Sequence, residues 1–282
     1  MNQFKTAALL GLLSGLLIAV SYWAIGGTSG AFIGLVIAAG MNLGSWFFSD
    51  KIALGAYNAQ PVDASQAPEL YGMVERLSNR AGLPMPGVYI VPSSAANAFA
   101  TGRDPQHAAV AVTEGILSIL PPDEVEGVLA HELSHIANRD TLTQAVAATV
   151  ASAISFLANM ARYAVWFGGS RDDDRGPNPL AMLLIVILTP IAATVIQMAI
   201  SRTREFSADA GAGRLTGNPR ALANALRRLE ANARQMPIAA NPAFEPLLIM
   251  NSFSGDFFQN LFSTHPSTEA RIEKLLELEQ QL

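Results

Sequence analysis

Two histidines and a glutamate lie within five residues of the chain, in the segment His131-Glu132-Leu133-Ser134-His135. On a helix, residues four positions apart share one face, so both imidazoles can reach a single metal ion while Glu132 faces a water molecule bound to it. We predict that His131 and His135 are metal ligands and that Glu132 is the catalytic base. The alternative is a polar helix face whose histidines only form hydrogen bonds. On an otherwise apolar helix that arrangement carries a desolvation cost.

A hydrolytic zinc site needs three protein ligands and an open position for water, so a third ligand must lie elsewhere. The chain contains no cysteine, which leaves carboxylates as candidates. Glu205 and Asp209 are four residues apart in a segment with a helical pattern. We assign Glu205 to the metal and Asp209 to the second ring nitrogen of a ligand histidine. The alternative is a solvated charged face, on which Arg202 and Arg204 contact lipid headgroups.

The metal that suits this ligand set is zinc, one ion per chain, because sites of two histidines and one glutamate that hydrolyse bonds favour it. The net charge of −5 and the isoelectric point near 5.4 give no basic surface for phosphate backbones, so we expect no nucleic acid partner. No oligomeric state is predicted.

The composition indicates a membrane protein. Half of the residues are hydrophobic and only 15% are charged, whereas soluble chains carry about a quarter charged residues. Apolar runs cover residues 6–25, 31–48, 141–161 and 180–200, and a spanning helix needs about 20 residues. The first two runs, joined by Gly26–Gly30, predict a transmembrane hairpin. A signal peptide is the alternative for the first run, and a buried core helix is the alternative for the third.

Flanking lysines predict the orientation of the hairpin. Lys5 precedes it and Lys51 follows it, so the excess of positive charge places both ends in the cytoplasm. If the third and fourth runs also span, the chain returns to the same side, and residues before 141 and after 200 can share one site. The predicted organisation is a hairpin in 1–50, a first catalytic part in 51–140, a second apolar hairpin in 141–200 and a second catalytic part in 201–282.

The segment between the two hairpins has the pattern of a soluble α+β domain. An amphipathic helix is predicted over Glu69–Ala81, ended by Gly82. Thr113 is predicted to cap a helix that begins at Glu114, and Asp123 is predicted to cap the helix that carries His131 and His135. Short strands are predicted at 88–91, 98–101 and 108–112.

Beyond these physical patterns, the chain resembles a known family. Four segments resemble those of the HtpX-type membrane zinc peptidases, relatives of the CAAX prenyl proteases, and they follow one another in the same order as in that family. They are Asn97-Ala98-Phe99-Ala100-Thr101-Gly102, the stretch from His131 to Asp140, Arg204-Glu205-Phe206-Ser207-Ala208-Asp209 and Ser263-Thr264-His265-Pro266. The resemblance covers nearly the whole chain.

This resemblance implies a predominantly helical, gluzincin-like metallopeptidase domain with a small β-sheet, fused to about four transmembrane helices. It implies Glu205 as the third zinc ligand. It also implies stress-related quality control of misfolded or damaged membrane proteins in the bacterial inner membrane, with the active site facing the cytoplasm. Within the resembling segments, Asn138 is assigned beside Asp209 as a residue that supports the ligands. His265 is assigned as a candidate donor to the oxyanion.

The segment Asn97, Ala98, Phe99 and Ala100 is a candidate substrate-binding strand, because an edge strand can pair with an extended substrate backbone. An ordinary core strand is the alternative. Two other functions compete with surface peptide hydrolysis. Intramembrane proteolysis is disfavoured by the charges around the motif, such as Asp123 and Arg139, which are costly at bilayer depth. A non-enzymatic scaffold with structural zinc is disfavoured because no fourth ligand is evident.

Overall fold

The chain folds into a helical protein with one small sheet, which confirms the predicted fold class. The structure is a computed structural model that describes residues 2–167, 187, 188, 191, 195, 201–235 and 266–282. Within these residues three helices are long and apolar enough to cross a membrane, with apolar windows at Phe4–Ser21, Gly27–Phe47 and Thr141–Asn159.

The N-terminal helices form an antiparallel hairpin. Helix α1 spans Asn2–Ser21, a π-helical turn spans Tyr22–Gly26, and helix α2 spans Gly27–Phe47. The predicted connection was therefore too long, because its last residues already belong to α2. A Cβ added at Gly34 would lie 2.8 Å from the Cα of Ile18, so the missing side chain is what lets the two helices approach closely.

Helix α7 (Thr141–Phe167) is the third helix that is long and apolar enough to cross a membrane, and it packs against α1. Its buried residues Val146, Val150 and Ile154 form one apolar cluster with Leu9 and Leu13 of α1. Leu188 and Val195 join this cluster. The predicted fourth span, 180–200, otherwise lies outside the described residues.

Between α2 and α7 lies a sheet of four described strands in the order β1-β2-β4-β3. The strands are β1 (Gln60–Pro61), β2 (Gly87–Val91), β3 (Ala98–Gly102) and β4 (Ala108–Thr113). Strand β2 pairs parallel to β4, and β3 pairs antiparallel to β4. The three predicted strands are confirmed, whereas β1 was missed because two residues give no alternating pattern. Strand β3 is an edge strand of this sheet.

Three shorter helices precede the metal motif in the part of the chain that contains the sheet. These are α3 (Ser49–Ala56), α4 (Pro68–Ala81) and α5 (Glu114–Ile119). The predicted helix before Gly82 is confirmed, and Gly82 adopts the left-handed conformation that ends it. The predicted cap of α5 is also confirmed, because the Thr113 hydroxyl accepts a hydrogen bond from the N–H of Ile116.

Helix α6 (Pro122–Ala137) carries the metal motif. The prediction that Asp123 caps it is wrong: the helix begins at Pro122, and Asp123 lies in its first turn. Proline suits the first helical position because its fixed φ is helical and its missing N–H would have no partner there. Asp123 still interacts favourably with the positive end of the helix dipole.

The helices after the membrane segments complete the catalytic domain. They are α8 (Arg202–Thr216), α9 (Pro219–Gln235) and α10 (Thr268–Glu279). Helix α6 packs against α8 and α9, and α10 packs against α8 and α9. The buried residues Val128, Leu129 and Leu133 of α6 share one core with Leu226 of α9 and Leu275 of α10. Parts of the chain before and after the membrane helices therefore meet around α6.

Candidate metal centre and active site

The candidate ligands converge in the core between α6 and α8. His131 and His135 lie one turn apart on α6, and Glu205 lies in the first turn of α8. One ligand atom from each lies within 4.8 Å of the other two, and all three residues are buried. The helical repeat of α6 sets the first pair, and the contact between α6 and α8 brings in the third.

The spacing of the ligand atoms fits a single small metal ion. The Nε2 atoms of His131 and His135 are 3.2 Å apart, and each lies 3.7 Å from a carboxylate oxygen of Glu205. Ligands placed about 2.0–2.2 Å from a tetrahedral zinc are separated by about 3.3–3.6 Å, so the observed spacing needs little adjustment. No rearrangement of the helices is required to hold a metal here.

Each ligand histidine has a carboxylate on its other ring nitrogen. Nδ1 of His131 lies 2.9 Å from Oδ1 of Asp209, and Nδ1 of His135 lies 3.2 Å from Oδ2 of Asp140. A proton held at Nδ1 by these carboxylates leaves the lone pair of each Nε2 directed at the metal position. Both rings are therefore fixed in the tautomer that metal binding requires.

Sequence reasoning missed Asp140 and placed Asn138 in this role instead. Asn138 is exposed and directly follows the helix, so the structure does not bring it to the ligands. After it, Arg139 adopts φ of 56°, which turns the chain back so that the N–H of Asp140 bonds to the carbonyl of His135. This turn directs the Asp140 side chain to the imidazole ring, and no periodicity in the sequence indicates it.

Arg271 on α10 is the second residue that sequence reasoning missed. Its guanidinium donates two hydrogen bonds to Asp209, from Nε at 2.8 Å and from Nη2 at 2.7 Å, and Nη1 lies 4.0 Å from Glu205. Arg271 is only 2% exposed. Arg271 lies four residues before Leu275, on the buried face of α10.

Burial and neighbouring charges shift the pKa values of this cluster in opposite directions. Burial raises the pKa of Asp209, but the charge and hydrogen bonds of Arg271 outweigh it and hold that pKa below its ordinary value. Burial lowers the pKa of His135, but the Asp140 hydrogen bond and the charges of Glu205 and Glu132 raise it to about 9 when no metal is bound. A metal ion therefore competes with a proton at His135.

Glu132 faces the edge of the sheet. Its carboxylate accepts a hydrogen bond from the backbone N–H of Ala100 in β3. Burial raises its pKa above the ordinary value, while the positive charges of His131 and His135 counteract the rise. A carboxylate with a raised pKa holds an accepted proton better than an ordinary carboxylate does, which suits a general base next to a metal position.

Of the remaining predicted site residues, the structure describes Asn97 to Ala100 but not His265. Asn97, Ala98, Phe99 and Ala100 are all buried in or just before β3, and Ala100 contacts Glu132, whereas Phe99 packs against Tyr57. The hydrogen bond from the N–H of Ala100 to Glu132 shows that the edge of β3 away from β4 faces the site. His265 lies outside the described residues.

Comparisons with known proteins identify the family of this chain. Residues 64–279 match the family described as "Peptidase family M48". A "Protease HtpX homolog" of Trichormus variabilis is 73% identical over 283 residues, which covers 100% of this chain and 98% of that protein. A "Protease HtpX homolog" of Pyrococcus furiosus is 51% identical over 275 residues, which covers 97% of this chain and 95% of that protein.

A solved structure shares the fold. The crystal structure of S. mikatae Ste24p matches with a TM-score of 0.52 and 19% identity over 95% of this chain. The match covers 62% of Ste24p, so the chain spans less than two thirds of that protein. At this identity the likeness is one of fold.

Proposed function

This chain belongs to peptidase family M48 and is a membrane metallopeptidase, and we propose that it is a zinc-dependent endopeptidase with Glu132 as its general base. The observation that supports this proposal best is the cluster of His131, His135 and Glu205 with Glu132 beside it. Three ligands leave a position for water, whereas structural zinc sites are normally closed by a fourth.

In the proposed reaction the protein residues orient the metal and move one proton. A zinc ion held by His131, His135 and Glu205 would supply a Lewis acid for the attacking water and the scissile carbonyl. A carboxylate oxygen of Glu132 takes the proton of the attacking water and delivers it to the leaving amine nitrogen. The carboxylates of Asp209 and Asp140 hold the ligand imidazoles in one tautomer throughout.

We propose that β3 binds the substrate backbone. Asn97, whose carbonyl accepts the N–H of Thr113, is bonded towards β4, so the main-chain groups of Ala98 and Ala100 point to the other side, where Glu132 lies. Backbone pairing at this edge binds polypeptides with little regard to sequence. Because β3 is buried, a substrate reaches it only when the site opens. The assignment of His265 to the oxyanion remains a prediction.

The active site is proposed to face the cytoplasm of a bacterium from its inner membrane. The start of α1 and the start of α7 adjoin each other, since the hydroxyls of Thr6 and Thr143 are 3.0 Å apart. Arg103, after β3, bonds to the carbonyl of Phe47 at the end of α2. These three helix ends therefore lie on the catalytic side, together with Lys5 and Lys51, and positive charge marks the cytoplasmic side.

The proposed substrates are unfolded or damaged polypeptides, including membrane proteins, in the context of stress and quality control. The test is degradation of casein by the detergent-purified, zinc-loaded protein. Glu132→Gln keeps the shape of the side chain but cannot accept the proton, so cleavage should fall by about 10²–10⁴-fold while zinc content is unchanged. Glu126→Gln, on the same helix and partly exposed, is the matched control and should retain activity.

The competing functions give different outcomes. If Glu132→Gln retains both zinc and full activity, the general-base assignment is wrong. If the wild-type protein binds zinc but cleaves no unfolded protein, a scaffold with structural zinc is favoured. Cleavage only inside transmembrane segments of reconstituted substrates would instead favour an intramembrane peptidase.

A further inference from the structure

The end of strand β3 is attached to the ends of two membrane helices. The carbonyl of Gly102 accepts a hydrogen bond from the hydroxyl of Thr141, the first residue of α7, at 2.8 Å. Arg103 donates from Nη1 to the carbonyl of Phe47, the last residue of α2, at 3.1 Å. The hydroxyl of Thr101 lies 3.4 Å from the carbonyl of Ser49, just beyond α2. This end of the strand is therefore fixed at the membrane boundary.

The other reference point on β3 is Ala100, whose N–H reaches Glu132. Ala100 and Gly102 are two residues apart, which is about 7 Å along a strand. Beyond Ala100 the next outward carbonyl, that of Gly102, is already bonded to Thr141. A substrate strand can thus continue its pairing only as far as Gly102 before it meets the first turn of α7.

The metal ligands also lie close to the start of α7. The apolar window of α7 begins at Thr141, and the residue before it, Asp140, contacts the ring of His135 at 3.2 Å. Asp140 also lies 3.7 Å from Arg204, which precedes the ligand Glu205. The headgroup layer on each side of a bilayer is about 5–8 Å thick, so a bilayer whose apolar core begins at this window would place the ligands at the depth of that layer or just above it.

From this placement we infer that the site selects polypeptide segments that directly adjoin a transmembrane segment, and cuts them within about five residues of the bilayer boundary. This inference rests on the proposed peptidase function. Two residues of strand and the headgroup layer together span the distance from the scissile bond to the apolar core. A substrate that leaves β3 at Gly102 enters the layer where the end of its own transmembrane helix lies.

A soluble unfolded chain offers the same backbone groups but lacks this anchor. A substrate whose transmembrane segment lies in the same bilayer as the peptidase presents its tail to the site at a high local concentration. For short flexible connections this concentration is of the order of millimolar. The two substrate classes therefore differ in rate and in the position of the cut. The position is the more specific signature, because the distance from Ala100 to α7 determines it.

The test uses the full-length, zinc-loaded protein reconstituted in liposomes with a single-span reporter. The reporter carries a long unfolded tail built from one short repeated sequence, so that every repeat offers the same cleavage chemistry. A second reporter has the same tail on a soluble domain without a span. Products are mapped by mass spectrometry, and Glu132→Gln provides the background.

Cuts in the repeat next to the membrane should exceed those in distant repeats by at least about tenfold. When a spacer is inserted between the span and the tail, the cuts should stay at the same distance from the membrane instead of following the same repeat. The unanchored tail should be cut slowly and evenly. Even cutting along the anchored tail would overturn the inference while leaving the peptidase function intact. No cleavage of either reporter or of casein would instead refute the peptidase function itself.

Discussion

Replacement of Arg271 is predicted to weaken the metal centre although this residue is not a ligand. Arg271→Met keeps most of the side-chain volume but leaves Asp209, which is 2% exposed, as a buried carboxylate without its cation. Removal of one partner from a buried ion pair costs about 3–5 kcal/mol. We expect a loss of stability of this order, because two hydrogen bonds at 2.8 and 2.7 Å are lost together.

The same change should also lower metal affinity. Asp209 without Arg271 has a raised pKa, and a protonated Asp209 no longer orients Nδ1 of His131. Loss of such a supporting group typically weakens metal binding about 10–100-fold. Thermal unfolding of the metal-free protein in detergent measures the first effect, and competition with a chelator measures the second.

A matched pair on the surface provides the control. Arg220 donates to Glu279 with nearly the same two-bond geometry, at 2.8 and 2.7 Å, but its side chain is 62% exposed. Arg220→Met should leave both measurements almost unchanged, since exposed pairs contribute little. Arg271→Lys should recover part of the loss, because it restores the charge but not the paired hydrogen bonds. Equal behaviour of Arg271→Met and Arg220→Met would refute the reasoning.

Three further predictions follow from the same geometry. Asp140→Asn should weaken metal binding by about 10–100-fold in chelator competition, and wild-type affinity would show that His135 needs no support. In the metal-free protein, protonated His135 should stabilise the fold fully below about pH 6.5, and this contribution should be lost as the pH rises through about 9. Metal affinity should rise over the same interval. The prediction is contradicted if stability in unfolding titrations and metal affinity in chelator titrations change in the same direction with pH. Gly102→Ala should lower the unfolding temperature strongly, because the φ of Gly102 is +124° and an added Cβ would lie 2.2 Å from the carbonyl oxygen of His107. Gly40→Ala is the control and should not lower it, because the added Cβ would meet nothing within 4 Å. Similar unfolding temperatures of the two variants would show that the added Cβ at residue 102 does not clash with the backbone.

The elements that the sequence predicted well are those specified by nearby residues. The strands around the turn from Gly102 to Ala108, the helix that ends at Gly82 and the cap at Thr113 all depend on contacts a few positions apart. The pair His131 and His135 belongs to the same class, since the helical repeat alone places both rings on one face. Local periodicity was sufficient for these predictions.

The residues that sequence reasoning missed depend on contacts distant along the chain or on an irregular turn. Arg271 is 62 residues from Asp209 and 140 residues from His131. Asp140 is close to His135 in sequence, but only the left-handed conformation of Arg139 directs it to the ring. Asn138 was assigned within the segment that resembles the family, whereas the helix end leaves it exposed. Asp123 is not the cap because the helix begins one residue earlier, at Pro122.

The order of the site residues along the chain has a consequence for biosynthesis. His131 and His135 are translated before α7, Glu205 after it, and Arg271 later still. A nascent chain that has emerged only through α6 thus holds two metal ligands and no complete site. The site is complete only after α8 has packed against α6 and α10 has packed against α8. A chain at the earlier stage therefore lacks the ligand set that peptide hydrolysis requires.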